Sequence, residues 1–283
     1  MSVVNAPIKW PGEAIWEVVA PILPNFTVEV LPEIDSTNTE LMRRAKAGHI
    51  EPILLVAEKQ SAGRGRLGRE WHDLAQREEA MPALTFSIGL PLSPADWSGL
   101  SLAVGVSVAQ CLHTDIGLKW PNDLWLHDRK LAGILIETCA VGRARYVVVG
   151  VGINITQPVK NPNSHAEPLR RAPAWLLEVL PQMSSPEALL RIVPTLIQTL
   201  LIFAEQGFAP FQARFNQRDV LRNRQIIVDD NLGSANANAN ADAKANENTT
   251  GIALGVNGKG ELEIQTAQGK TTINSSEVSV KPL

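Results

Sequence analysis

The segment that decides the architecture is GLKWPNDLWLHDRKLAGILIETCAVGRARYVVVGVGINI, Gly117 to Ile155. It reads as four strand-length pieces separated by a Pro-Asn-Asp turn, an Asp-Arg-Lys turn and a Gly-Arg turn. Connections this short join only antiparallel neighbours, because a parallel pair needs a crossover of a dozen or more residues. The centre of the chain is therefore expected to be an antiparallel or mixed sheet of the α+β class, not a doubly wound parallel one.

Toward the N-terminus, ALTFSIGLPL (83 to 92) alternates as a further strand, and WSGLSLAVGVSVAQCLH (97 to 113) carries a long apolar helical face. PILLVAEKQ is an apolar run of strand length. Residues 10 to 20 suggest a short helix. DSTNTELMRRAKAGH suggests another, with Thr37 and Glu40 spaced as a capping box and Gly48 as its stop. Toward the C-terminus a helix is expected over 186 to 206, capped by Ser185, with Pro186 at its first position and Pro194 as a source of a kink. After Phe215 the pieces RQIIVDD, GIALGVN, GELEIQTA and GKTTINSSEVSVK are short and strand-like, with glycine at the turns. They predict a small all-β unit of one barrel's length. Within it NLGSANANANADAKANENTT (231 to 250) is polar and low in complexity, and is expected to be a disordered hairpin insertion. The resulting division is a large domain at 1–215 and a small one at 216–283.

Composition narrows the function. The 283 residues carry a formal net charge of -3, which gives no global attraction to nucleic acid or anionic membrane. No unbroken apolar window of about 18 residues and no signal-peptide pattern is found, so a cytoplasmic protein is expected. Cys111 and Cys139 lack metal-ligand spacing and are expected to be buried free thiols; no metal ligands can be assigned.

Local charge carries more information. SAGRGRLGREW, Ser61 to Trp71, interleaves Arg64, Arg66 and Arg69 with Gly63, Gly65 and Gly68. Its GRGRLG matches the dinucleotide-binding G-x-G-x-x-G, but arginines fill the variable positions, no good helix opening follows, and the next strand does not end on an acid to hold a ribose. A P-loop is excluded because no Gly-Lys-Ser/Thr follows. Guanidinium forks bind phosphate and carboxylate oxygens in pairs, and glycine lets backbone N–H groups approach the same anion. An anion-binding loop, mobile until its ligand arrives, is the reading adopted, against a solvated arginine-rich surface loop. Lys130, just before the apolar LAGILIE, adds a fixed cation, and Asn122 and Asp123 add hydrogen-bonding groups after a rigid Trp-Pro turn. With the STN turn and Asn154 in GVGIN, the set suggests a site for a small acid plus a nucleotide.

DSTN, AEKQSAGRGRLGREW, KWPNDLWLHDRKLAGILIE and GVGINI, in that order over residues 33 to 156, resemble the biotin protein ligases, which attach biotin to carboxylase subunits. The resemblance implies a catalytic domain related to class II aminoacyl-tRNA synthetases and lipoate ligases, with a mixed, largely antiparallel sheet flanked by helices and a small SH3-like barrel after it. It also implies two half-reactions: biotin and MgATP give biotinyl-5'-AMP and pyrophosphate, and the biotinyl group then passes to one lysine of a biotin carboxyl carrier protein. By the same resemblance Lys130, Arg64 and Arg66 carry the catalysis. Ser36, Thr37, Asn38, Gln60, Gly63 and Gly65 join them around biotin. Arg66, Arg69, Trp71, Asn122, Asp123, Lys130 and Asn154 attend ATP, with Mg2+ as its companion ion. Leu67 stands where some members carry another basic residue, and DLAQREEAMP (73 to 82) lengthens the segment after Trp71. Some members also bind DNA, but Lys9 is the sole basic residue before Ser36, so no DNA partner is expected. A homodimer stays open. The alternatives are a lipoate or octanoate ligase on the same scaffold and a non-catalytic biotin-binding regulator.

Overall fold

The computed structural model describes residues 7–71, 82–157, 172–229, 249–274 and 279–283. Its main sheet contains β1 (Thr27–Leu31), β2 (Ile53–Ala57), β3 (Ala83–Pro91), β4 (Gly117–Lys119), β5 (Asp123–Leu126), β6 (Arg129–Val141) and β7 (Ala144–Asn154). Their order is β1-β2-β3-β7-β6-β5-β4, and every pair is antiparallel except β1 with β2. The sheet is therefore mixed, and the run from Gly117 to Ile155 forms its antiparallel half. The parallel pair arises because α2 (Thr37–Lys46) supplies the crossover between β1 and β2. β1 was not anticipated from the sequence.

The two faces of the sheet are covered differently. On β7, Val147, Val149, Val151 and Ile153 point into the large core shared with α1 (Gly12–Val19), α3 (Leu100–Leu112) and α4 (Ser185–Gln206). Tyr146 and Val148 point the other way and pack with Leu41 and Ala45 of α2. That face is only part-covered by α2, and the remainder of it becomes the floor of the site. α4 is long and apolar enough to cross a membrane by length and composition; half of that stretch is buried here, with Leu189, Ile192, Leu196 and Phe203 in the core.

A second sheet follows α5 (Gln212–Arg218), a helix not read from the sequence. It contains β8 (Gln225–Asp229), β9 (Thr249–Val256), β10 (Leu262–Thr266), β11 (Gly269–Ile273) and β12 (Ser279–Pro282), all antiparallel, in the order β11-β10-β9-β8-β12. It is docked on the first: Trp120, fully buried, donates its indole N–H to the Gly260 carbonyl at 3.0 Å, and Asn216 of α5 bonds both backbone groups of Val256. The expected insertion falls outside the described residues except for Thr249 and Thr250, which open β9. The lengthened segment 73 to 82 likewise lies outside them, apart from Pro82.

Three local expectations need correction. The N-cap of α2 is Ser36, whose extended backbone lets its hydroxyl accept from the Thr39 N–H; Glu40 pairs with Arg44 and Arg43 and closes no capping box on Thr37. The cap of α4 is Ser184, accepting from the Glu187 N–H, one residue earlier than expected. Cys111 and Cys139 are free but only half-buried, since both lie toward the edges of their elements.

Candidate active site

Three rows of residues across β6, β7 and β3 make the floor of a cleft. In register these are Gly133, Gly152 and Thr85, then Leu135, Gly150 and Ser87, then Glu137, Val148 and Gly89. Glycine inside a strand marks close approach by another group. At Gly150 a Cβ would collide with the Asn38 amide oxygen, and at Gly152 it would sit 2.6 Å from the indole of Trp71. The two missing methyl groups let α2 and the arginine–glycine segment settle onto the sheet.

The start of α2 supplies one end. Ser36, Thr37 and Asn38 are all buried polar residues, an expensive arrangement unless each is hydrogen-bonded. The Thr37 N–H donates to Gln60 Oε1 at 2.8 Å. Ser87 Oγ lies 2.7 Å from both Thr37 Oγ1 and Asn38 Oδ1. Asn38 Nδ2 donates to Glu137 Oε2 at 3.0 Å.

The arginine–glycine segment is a small hairpin. Trp71 N–H donates to the Gly63 carbonyl at 2.9 Å, Gly65 N–H donates to the Arg69 carbonyl at 2.7 Å, and Arg64 bridges Glu70. Leu67 and Gly68 turn its tip with positive φ of 59° and 70°. The sequence suggested a loop without such pairing. Its side chains reach the walls: Arg64 pairs with Glu137 at 3.0 Å, and Arg66 donates to Asn122 Oδ1 at 3.3 Å. Trp71 lies across Gly133 and Gly152 with its ring under the Lys130 ammonium, which is 6.0 Å from the ring centroid.

Opposite stands a cationic wall. Lys130 Nζ is 2.7 Å from Asp123 Oδ1, and Asn122 is strapped to β6 by its amide N–H to the Ile134 carbonyl. Burial pushes the Arg66 guanidinium down from its ordinary value; Asp123 opposes the shift and Arg69 adds to it. Lys119, whose ammonium lies 5.0 Å from the Trp125 ring centroid, is pushed down by burial, held up by Asp123, and lowered further by Lys130, Arg69 and Lys281. Several cations thus surround one carboxylate, an arrangement suited to an anionic, phosphate-bearing ligand.

Of the residues expected from sequence, Ser36, Thr37, Asn38, Gln60, Arg64, Gly65, Trp71, Asn122 and Lys130 line this one cleft. Asp123 lines the adjoining hollow with Lys119. Gly63 pairs with Trp71 in the hairpin, where a Cβ would meet the Trp71 carbonyl, and Arg69 closes the hairpin by its backbone while its charge acts on Arg66 and Lys119. Asn154 is on the same face of β7 as Gly150 and Gly152 but outside the cleft lining, and its amide donates to the Ala174 carbonyl, whose own N–H binds the Lys130 carbonyl. Sequence reasoning missed Ser87, Glu137 and Lys119. Only Ser87 had a signal: Thr85, Ser87 and Gly89 alternate with apolar residues along β3. Among the described residues no group of three or more His, Cys, Asp or Glu side chains could hold a metal ion.

Residues 30–154 match the biotin/lipoate A/B protein ligase family, and residues 243–281 match the biotin protein ligase C-terminal domain. The chain is 35% identical over 210 residues to the bifunctional ligase/repressor BirA of Escherichia coli, covering 71% of this chain and 61% of that protein. It is 38% identical over 138 residues to a biotin–[acetyl-CoA-carboxylase] ligase of Mycobacterium tuberculosis, covering 46% of this chain and 50% of that one. The chain thus spans less than two thirds of the length of these curated relatives. Among solved structures, the biotin protein ligase of Aquifex aeolicus in complex with biotin and ATP superposes with a TM-score of 0.68 at 26% identity, covering 92% of this chain and all of that one.

Proposed function

We propose that this chain, which matches the biotin/lipoate A/B protein ligase family over residues 30–154 and the biotin protein ligase C-terminal domain over residues 243–281, activates biotin with ATP and transfers it to a lysine of a biotin carboxyl carrier protein. The observation that carries this reading is a cleft and its adjoining hollow with two unlike ends: buried Ser36, Thr37 and Asn38 with half-buried Gln60, and Lys130, Arg66 and Lys119 around Asp123. The first suits an uncharged polar ring, the second a carboxylate meeting a triphosphate.

In the first half-reaction a biotin carboxylate oxygen attacks the α-phosphorus of ATP, an O–P bond forms, and pyrophosphate leaves with the electrons of the bond that breaks. Two anions must approach, so fixed cations where charge accumulates are the main catalytic device. Lys130 is assigned to the carboxylate and α-phosphate, with Arg64 and Arg66 closing over them from the hairpin. Gly65 permits close backbone approach, and Trp71 supplies an apolar wall that limits water at the mixed anhydride. Ser36, Thr37, Asn38 and Gln60 take the biotin ring. Asn122, Asp123 and Arg69 are assigned to the nucleotide side, and Asn154 supports it through the Ala174–Lys130 backbone contact. Asp123 would be the hard oxygen donor of that wall for Mg2+, whose charge would offset that of the phosphates. In the second half-reaction the carrier lysine amine attacks the carbonyl carbon, AMP leaves, and the amine loses a proton.

The same reading keeps the division near residue 215, a cytoplasmic setting and no DNA partner. The test is mass spectrometry of a biotin carrier domain incubated with the protein, biotin and MgATP. One biotinyl group on one lysine supports the reading; an unmodified carrier overturns it.

A further inference from the structure

We propose that Glu137, which no sequence motif assigned, is a positioning residue that sets the hydrogen-bond polarity of the pocket at the start of α2. The inference rests on the biotin reading above. Glu137 lies on β6 with a side chain only 21% exposed. Its Oε1 is 3.0 Å from Arg64, and its Oε2 accepts from Asn38 Nδ2 at 3.0 Å.

An ionised carboxylate only accepts. The Leu135 carbonyl, 3.4 Å from the same Asn38 nitrogen, also only accepts. Together they turn the Asn38 NH2 toward β6 and its Oδ1 toward Ser87. Ser87 is fully buried, and because Oδ1 cannot donate, the 2.7 Å contact between them uses the single Ser87 proton. Ser87 must then accept across its other 2.7 Å contact, so Thr37 donates to it. Each step is forced by the one before it. The Thr37 hydroxyl has one proton, and the 2.7 Å contact to Ser87 takes it in preference to Gln60 Oε1, which lies 3.2 Å from Thr37 Oγ1 and already accepts from the Thr37 N–H at 2.8 Å.

The Thr37 hydroxyl therefore turns a lone pair to the pocket, which suits a ligand N–H such as a cyclic urea has, beside the donors that Ser36 and Gln60 bring to the same lining. The same carboxylate holds Arg64, so the ring end and the anion end of the cleft are aligned on one group. An amide at position 137 brings an N–H that Asn38 Oδ1 can meet. Asn38 then turns over, and the chain through Ser87 and Thr37 can run in the opposite sense.

The experiment is steady-state biotin-dependent exchange of labelled pyrophosphate into ATP, with thermal unfolding of each protein. In Glu137→Gln the amide oxygen can still accept from Arg64 while its N–H meets Asn38, so the KM for biotin is expected to rise at least tenfold while kcat and the KM for ATP stay within about threefold. Glu137→Asp, which restores an acceptor-only group, should recover part of the loss. Ser87→Ala cuts the same chain one bond further on, should show the same split, and carries the test if Glu137→Gln does not fold. An unchanged biotin KM overturns the proposal, as does an equal loss in the Gln and Asp variants or a fall in kcat together with a rise in both KM values. Wild-type protein without biotin-dependent exchange overturns the functional reading itself, and this inference with it.

Discussion

Lys130 Nζ and Asp123 Oδ1 lie 2.7 Å apart, and the ammonium also rests above the indole of Trp71. The pair fixes a cation that the turn between β5 and β6 would otherwise leave to wander. Replacing Lys130 by Met keeps the length and apolar stem and removes the charge. Pyrophosphate exchange should fall by at least ~10², the loss typical of one preorganised electrostatic contact. An unchanged rate would make Lys130 a surface residue of a strand end.

The Trp71 wall depends on Gly152, where a Cβ would lie 2.6 Å from the ring. Gly152 does not have a positive φ, so alanine is tolerated by the backbone and the collision is with the indole. Gly152→Ala should fold but lose at least about tenfold in kcat/KM, because misplacing a positioned wall is costly. Trp71→Phe in the same background, with a smaller ring, should return part of it. Wild-type kinetics in Gly152→Ala would show that the indole does not bear on the site.

Beside β4, where Asp219 bridges Leu118, burial pushes the Asp219 carboxyl up to about 6; its Oδ1 accepts from the Leu221 N–H, and its Oδ2 is without a hydrogen-bond partner among the described residues. The unfolded chain titrates this group near ~4, so the native state binds the proton more tightly. Stability from the protonated form is complete below that range and is lost as pH rises through about 6. Asp219→Asn retains the acceptor for Leu221 and cannot ionise. It should be the more stable protein at pH 8, by up to about 3 kcal/mol, and the two should converge below pH ~4. Thermal unfolding across that range is the measurement, and a difference independent of pH would contradict the assignment.

The sheet was legible because the segment from Gly117 to Ile155 leaves no room for crossovers, and period-two alternation marks β3 and β7. β1 was not, since TVEVL is short and mixed in polarity at a sheet edge. Thr37 drew attention as a cap because its spacing to Glu40 fits one, yet its hydroxyl is engaged by Ser87 and the cap falls to Ser36. Lys130 and the arginines announced themselves as charge beside glycine. Glu137 did not, because an acid at the end of an apolar strand ordinarily reads as solvent-facing, and only the fold brings Asn38 and Arg64 to it from positions 99 and 73 residues away.

The central claim is that this cleft joins biotin to ATP, and exchange of labelled pyrophosphate into ATP measures that step without needing a carrier protein. Purified protein with MgATP should exchange when biotin is added and remain near background with lipoate or octanoate. Exchange with lipoate or octanoate equal to that with biotin, or exchange independent of any added acid, would contradict the account.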